Sequence, residues 1–345
     1  MRKFITILLI AAMLFACTAC GADKREATDL KFDINGEFKI LVLADCQDYA
    51  EPNPKMIAFI SDMLDRTKPD FVVLLGDNVI EKTEEKFRKG AKALLAPLVE
   101  RSVPYAYTFG NHDDEFGMTK EQMKAVFESI GDCRTVDPAP EITGVGNCVI
   151  PVMSSDGERT AYNLWIIDSN AYDSDVGGYD HLHADQLDWI KTTAADLKAQ
   201  DGEVPSMFFQ HIIPAEGYDL LVESDLPVGT DGTHEYRGKN HALRLKDGAR
   251  GYLGEFPCPP SVPTDEVGTL AGIGGVVGIV SGHDHSNAFI GTAGGIDIIQ
   301  CPGMTFADYG DDTCRGCRLI TLHEGSADYE APLYTYVMND AGAYN

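Results

Sequence analysis

The sequence predicts an α/β fold built on parallel strands, and three observations carry that expectation. Short apolar runs of the kind that form buried strands alternate with segments whose apolar residues recur at helical spacing. From residue 38 the order is strand, helix, strand, helix, strand, which calls for parallel strands joined by crossover helices. Each strand-like run ends on a polar cluster, and in such sheets ligands bind beyond the carboxyl ends of the strands.

The first run, residues 38–44, ends at Asp45. Residues 54–67 place Met56, Ile57, Phe59, Ile60, Met63 and Leu64 on one helical stripe, and Pro69-Asp70 breaks that helix. A second run, 71–75, ends at Gly76-Asp77. A second helix spans 83–100, with Glu84 and Glu85 as favourable first-turn charge. Pro104 then opens a third run, 105–109, ending in Gly110-Asn111-His112-Asp113. The same device recurs where 164–167 ends at Asp168, 207–210 at His211, and 276–280 at Ser281-Gly282-His283-Asp284-His285. Asp168 reads as a structural turn, and His181 and His183, just before an amphipathic helix at 184–200, read as surface or capping residues. Residues 213–267 are rich in Gly, Pro and charge with little periodicity, and read as an irregular insertion near the site. Residues 288–337 read as short strands between Gly and Asp turns.

With 345 residues, 44% of them hydrophobic, the chain has apolar material for one sizeable core. Its formal net charge of -26 repels polyanions, so long nucleic acid and anionic membrane surfaces are poor partners. Met1-Arg2-Lys3, an apolar stretch at 4–15 and small residues around Cys17 and Cys20 have the layout of an export signal. That stretch is short of the ~20 residues a spanning helix needs. It resembles a bacterial lipoprotein leader, which implies lipidation at Cys17 or Cys20 and an extracytoplasmic protein held to the membrane by a lipid anchor only. The expected plan is a signal peptide over 1–20, a polar spacer over 21–36 and one domain over 37–340. Seven further cysteines lie in a disulfide-permissive setting. Cys314 and Cys317 read as a local disulfide or two buried thiols, and Cys133 and Cys148 as a possible staple.

The strand ends hold the ligand inventory of a hydrolytic two-metal centre. Divalent cations of hard and borderline type take carboxylate, amide-oxygen and imidazole ligands, and paired ions sit about 3.5–4 Å apart across a bridging group. Asp45 and Gln47 leave the first strand two residues apart, so both can face one side. Asp77 is a carboxylate able to bridge, Asn111 offers an amide oxygen, and His211, His283 and His285 offer imidazoles. Taken singly, each of these residues has an ordinary turn, cap or surface reading. The constellation carries the inference.

Asp45-x-Gln47, Gly76-Asp77-Asn78, Gly110-Asn111-His112-Asp113, His211 and Gly282-His283-Asp284-His285, in that order, resemble the calcineurin-like metallophosphoesterases over about residues 39–290. The resemblance implies a four-layer α/β/β/α sandwich of two stacked mixed sheets with a dinuclear site at their rim. It assigns one ion to Asp45, Gln47, Asp77 and His285, and the other to Asp77, Asn111, His211 and His283. Mn, Fe and Zn are the candidate metals. The implied substrate is a small phosphate mono- or diester, with nucleotide derivatives included, attacked in line by a bridging water or hydroxide. His112 is expected to protonate the leaving oxygen, with Asp113 orienting its ring.

Gln47 departs from the histidine usual at that position; a neutral amide is a weaker ligand and favours a harder ion such as Mn²⁺. Ile80 stands where purple acid phosphatases place a metal-binding tyrosine, which argues against a purple ferric enzyme. Within the insertion, His234, Arg237, Lys239, His241 and Arg244 are cationic; Arg237, His241 and Arg244 are the candidates for substrate phosphate, although a solvated loop needs no such role. The rival expectation is a non-catalytic metal- or ligand-binding lipoprotein on the same scaffold.

Overall fold

The computed structural model describes residues 29–113, 115–227, 234–236 and 239–337, with side chains outside 234–236 and 239–241. The leader expected over 1–20 and the start of the spacer lie outside the described residues. In chain order the elements are β1 (Glu37–Leu43), α1 (Pro54–Thr67), β2 (Phe71–Leu75), α2 (Glu84–Arg101), β3 (Tyr105–Thr108), α3 (Lys120–Phe127), β4 (Cys148–Met153), β5 (Thr160–Ile166), α4 (Ala184–Asp201) and β6 (Ser206–Phe209). A 3-10 helix (Ala215–Leu220) follows, then β7 (Leu221–Ser224), β8 (His234–Tyr236), β9 (Lys239–Leu245), β10 (Arg250–Leu253), α5 (Glu266–Ile273), β11 (Val276–Ser281), β12 (Asn287–Ala293), β13 (Ile296–Gln300), β14 (Gly316–His323), β15 (Tyr329–Glu330) and β16 (Leu333–Thr335).

Two mixed sheets form the centre. One runs β15-β14-β1-β2-β3 with β16 also on β14; the other runs β10-β12-β13-β11-β6-β5-β4. Strands β1, β2 and β3 are parallel, as are β5, β6, β11 and β13, so each sheet gathers several carboxyl ends on one side. The strand period of two sorts side chains into layers. Ile40, Val42, Val73 and Leu75 of one sheet share a buried cluster with Leu164, Ile166, Met207, Phe209 and Val280 of the other. Their alternates Leu41, Leu43, Val72 and Leu74 pack on Met56 and Ile60 of α1, Phe87 and Leu94 of α2, and Met123 of α3. On the far side Trp165, Phe208 and Ile279 pack on Ile190 of α4 and Leu270 of α5. The result is the expected α/β/β/α sandwich.

Local chemistry sets the helix ends. Asn53 caps α1 by accepting from the Lys55 amide, Pro54 takes the first turn where no amide partner is needed, and Lys68 closes the helix in the left-handed conformation. Thr119 and Gln122 form a capping box at the start of α3. Segment 213–267, aperiodic in sequence, carries the 3-10 helix and four short strands. Strands β7, β9 and β8 make a small separate sheet, while β10 joins the edge of the larger one against β12. Such strands are too short to announce a period. Among the described residues all seven cysteines are free thiols, including Cys133 with Cys148 and the buried pair Cys314 and Cys317.

Candidate metal centre

The chain turns sharply as it leaves each strand. Asp45, Gln47, Asp77 and His283 all have positive φ, between 30° and 72°, a region that non-glycine residues rarely occupy. Such conformations cost on the order of 1–3 kcal/mol each and persist where the surroundings impose them. Glycines make the room. Gly76 has φ 86°, and a Cβ there would run into the His211 ring; a Cβ at Gly110 would strike the Asp77 carboxylate. The glycine in each motif is a close-approach requirement of the neighbouring side chain.

Six of the expected ligands converge there, Gln47 is tied to them by its backbone amide on Asp77 O at 2.8 Å, and none of the seven is more than 7% exposed. His211 Nε2 lies 3.2 Å from Asp77 Oδ2 and 3.2 Å from Asn111 Oδ1, with Asp45 Oδ1 at 3.9 Å. His285 Nε2 lies 3.5 Å from Asp45 Oδ1. Ligand atoms of Asp77, His211 and His283 fall within 4.8 Å of one another. Backbone carbonyls fix two of the imidazoles: Leu75 O is 2.9 Å from His211 Nδ1, and Tyr309 O is 2.8 Å from His285 Nδ1, so each turns Nε2 to the centre. The Tyr309 ring also stacks on His285 at 4.3 Å between centroids.

Electrostatics tells the same story. Burial penalises charge on His211, yet Asp77 and Asp45 overcome it and raise the imidazole to about 10. Burial likewise opposes charge on His285, but Asp45 raises it to about 9. Asp77 is driven the other way: His211 outweighs burial and holds the carboxyl well below its ordinary range. His283, desolvated and beside His211, is depressed and neutral. The carboxylates therefore draw positive charge into a dry rim.

Among the described residues, Asp45 Oδ1, Gln47 Oε1 and His283 Nε2 are buried with no hydrogen-bond partner. Leaving such atoms unmet costs roughly 1–3 kcal/mol apiece. Their lone pairs, with those of Asp77, Asn111, His211 and His285, form a carboxylate, amide and imidazole set suited to divalent cations. The residues present fit a metal pair.

One expectation is corrected. The group on His112 Nδ1 is Glu115, at 2.8 Å, and not Asp113. Asp113 is buried and accepts from the amides of Asn78 (2.9 Å) and Gly110 (2.8 Å), tying two motif turns together. The His112 amide donates to Asp77 Oδ1 at 2.8 Å. Sequence reading also passed over Tyr172, Tyr179, Glu255 and Tyr309. Tyr172 Oη accepts from Asn111 Nδ2 at 2.8 Å, Tyr179 packs edge-on against His283 at 4.2 Å, and Glu255 accepts from the amide of Ser286, next to His285, at 2.6 Å. The i, i+3 spacing of His112 and Glu115 was the one available signal.

Other candidates sit elsewhere. Asp168 binds Lys120 Nζ at 2.9 Å and the amides of Val145 and Asn170, a structural role. Arg237 lies outside the described residues, as does the side chain of His241. Arg244 is exposed on β9 and bonds to Leu245 O and Asp247, with no hydrogen bond or ion pair to the ligand side chains among the described residues. Asp180, His181 and His183 form a second, half-buried group of possible ligands. Their rings stack nearly parallel, 12° apart at 4.8 Å, so the nitrogen lone pairs lie in separate planes and one ion cannot meet both without a ring turning. Both rings instead lie against Asp180, and His183 is the N-cap residue of α4.

Two stacked mixed sheets with an acidic, histidine-rich rim at their strand ends define a metallophosphoesterase-type sandwich. The family model described as calcineurin-like phosphoesterase matches residues 38–287, and the chain belongs to that family. An Arabidopsis thaliana protein named probable inactive purple acid phosphatase 29 is 26% identical, covering 89% of this chain and 81% of its own length. Phosphatase DCR2 of Saccharomyces cerevisiae is 29% identical, covering 78% of this chain and 46% of that protein. In fold, the chain is similar to a dimetal phosphatase from Danio rerio, with a TM-score of 0.52 and 12% identity over 86% of this chain and 99% of that one. GAP50 of Plasmodium is similar to the same degree, with a TM-score of 0.52 and 11% identity over 90% and 88%.

Proposed function

We propose that this chain hydrolyses a small phosphate mono- or diester, nucleotide derivatives included, at a dinuclear metal centre. The observation that carries the reading is the buried rim itself, where six ligand-type side chains converge with Gln47 buried beside them, and where Asp45 Oδ1, Gln47 Oε1 and His283 Nε2 lack a hydrogen-bond partner among the described residues. Membership of a phosphoesterase family supports it. Asp45, Gln47, Asp77 and His285 would hold one ion and Asp77, Asn111, His211 and His283 the other, with Mn, Fe and Zn as the candidates.

Bound cations supply Lewis acidity, neutralising phosphate oxygens and acidifying a water beside them. The chain's own residues do the rest. Leu75 and Tyr309 carbonyls keep His211 and His285 in register, and the dry walls strengthen every charge at the rim. His112, anchored through its amide to Asp77 and protonated on both nitrogens, gives its Nε2 proton to the leaving oxygen and is left as the neutral ring whose Nδ1–H faces Glu115.

The reading extends to location and partners. The leader supports an extracytoplasmic protein, lipidated at Cys17 or Cys20 and joined to the membrane by that anchor alone, and the net charge of -26 disfavours long nucleic acid. Metabolic labelling with a radiolabelled fatty acid, comparing Cys17→Ala with Cys20→Ala, tests the anchor; label retained in the double variant refutes it.

A second reading is a metal- or ligand-binding lipoprotein without turnover. What favours it is the name "probable inactive" borne by three Arabidopsis relatives, together with Gln47 in place of a stronger ligand. An assay of the mature protein with Mn²⁺, Zn²⁺ or Fe²⁺ on aryl and alkyl mono- and diesters, with nucleotides and sugar phosphates in the panel, decides between them. Turnover that needs metal supports the enzyme, and its absence on every ester leaves the binding protein.

A further inference from the structure

Resting on that reading, we propose that Glu115 and Tyr172 form a positioning pair that ties the proton donor His112 to the ligand Asn111. The pair is a chain of contacts across two loops. Glu115 Oε2 sits 2.8 Å from His112 Nδ1, and no other hydrogen bond engages the ring among the described residues. A carboxylate on Nδ1 fixes that nitrogen as the donor and sets the ring plane, which leaves Nε2 for the substrate. Asn111 faces the matching problem, because its amide can present either oxygen or nitrogen to the centre. Tyr172 Oη accepts from Nδ2 at 2.8 Å, while Oδ1 lies 3.2 Å from His211 Nε2. Tyr172 therefore selects the rotamer in which oxygen faces the ligand side. The Tyr172 ring stands edge-on to the His112 ring at 6.5 Å between centroids, which brings the chain from Asn111 through Tyr172 back to the imidazole that Glu115 holds.

A purely structural role does not account for this placement. The His112 and Glu115 side chains are 35% and 33% exposed, and an ion pair that wet contributes little to stability. Tyr172 is a large aromatic left 44% exposed at the rim, where packing alone gives it no reason to be. Its loop reaches the other side of the same centre: the Tyr172 ring stacks on Tyr179 at 5.7 Å, and Tyr179 packs edge-on against His283 at 4.2 Å. One hairpin, closed by the bridge between Tyr172 and Tyr179, thus touches Asn111, His283 and the ring of His112.

The two halves separate by experiment. In the metal-loaded protein, Glu115→Gln is expected to lower kcat about 30-fold on an alkyl phosphate, whose leaving group needs a proton, and about 3-fold on a nitrophenyl phosphate, whose leaving group hardly does. KM and metal content stay near wild type. Tyr172→Phe is expected to keep the wild-type ratio between those two esters and to raise about 10-fold the Mn²⁺ concentration that half-saturates the protein, read by titration of binding. Nitrogen-15 NMR of His112 in the metal-free protein gives a readout independent of turnover. At a pH where the ring is neutral, the form left after proton donation, wild type is expected in the Nδ1-protonated tautomer and Glu115→Ala in the Nε2-protonated one. Equal losses on both esters, an unchanged tautomer, or unchanged Mn²⁺ binding in Tyr172→Phe would overturn the pairing. Wild type without turnover on any ester refutes the hydrolase reading instead, while the tautomer and the Mn²⁺ titration still judge the pair.

Discussion

The rim at the strand ends and the loop before α4 hold the same side-chain types, and the molecule treats them in opposite ways. At the rim, Asp45, Asp77, His211, His283 and His285 are buried, four candidate ligands carry positive φ, and three lone-pair atoms are unmet. In the loop, Asp180 sits against two half-buried imidazoles at 3.0 and 3.1 Å, and no residue of that group has a left-handed backbone. One region is built short of positive charge; the other is closer to satisfied by its own members. Residue inventory does not separate them. Desolvation and backbone strain do, since among the described residues His181 Nδ1 in the loop lacks a hydrogen-bond partner as well, and both cost stability that a bound cation offsets.

The predictions press on that contrast. Asp77→Asn strikes the carboxylate shared by both expected ligand sets, and kcat/KM should fall at least about 10³-fold, roughly 4 kcal/mol of transition-state stabilisation, with the circular dichroism spectrum unchanged. A smaller effect tests how the fold treats a buried acid that meets no cation. Glu266 is 2% exposed, and burial followed by the nearby Glu216 raises its carboxyl from 4.5 to about 8. A raised folded pKa means the folded state binds the extra proton, so this contribution is complete below about pH 4.5 and is lost as pH climbs to about 8. Denaturant titrations of wild type should lose stability across that window by an amount on the order of a few kcal/mol, and Glu266→Gln should flatten the slope.

Gln47→His sharpens the comparison from within the rim. An imidazole in place of the unmet amide should lower the Mn²⁺ or Zn²⁺ concentration for half-saturation about tenfold, near 1.4 kcal/mol, by calorimetric titration. Unchanged affinity would remove Gln47 from the ligand set. The smallest effect is expected in the loop: His183→Asn keeps a capping residue at the start of α4 and should leave metal stoichiometry intact, with thermal stability shifted by less than about 1 kcal/mol. A lost equivalent of metal would erase the distinction between the two regions.

Much of this was legible in the sequence, for identifiable reasons. β2, β3 and β1 from Ile40 onward are buried on both faces, so they read as largely apolar runs, and the polar residues at their ends stand out against them. The ligand types followed from those ends. Glu115, Tyr172, Glu255 and Tyr309 did not, because they reach the centre from loops and no periodicity marks a loop residue. Asp113 misled because adjacency to His112 says nothing of direction: its carboxylate turns inward to Asn78 and Gly110, while Glu115, one helical turn's spacing away, meets the ring. The left-handed backbone at Asp45, Asp77 and His283 was equally hidden, since none is the glycine that normally advertises it. α3, only 8 residues long, went unread, although Thr119 and Gln122 stand at capping-box spacing at its start.

The central claim is that the rim is a two-cation site, and Mn²⁺ titration of the metal-free protein followed by electron paramagnetic resonance tests it most directly. The account predicts two equivalents per chain, a spin-coupled signal as the second ion enters, and loss of that coupling in Asp77→Asn. Binding no stronger or more numerous than in Asp77→Asn, with only isolated-ion signals, would contradict it.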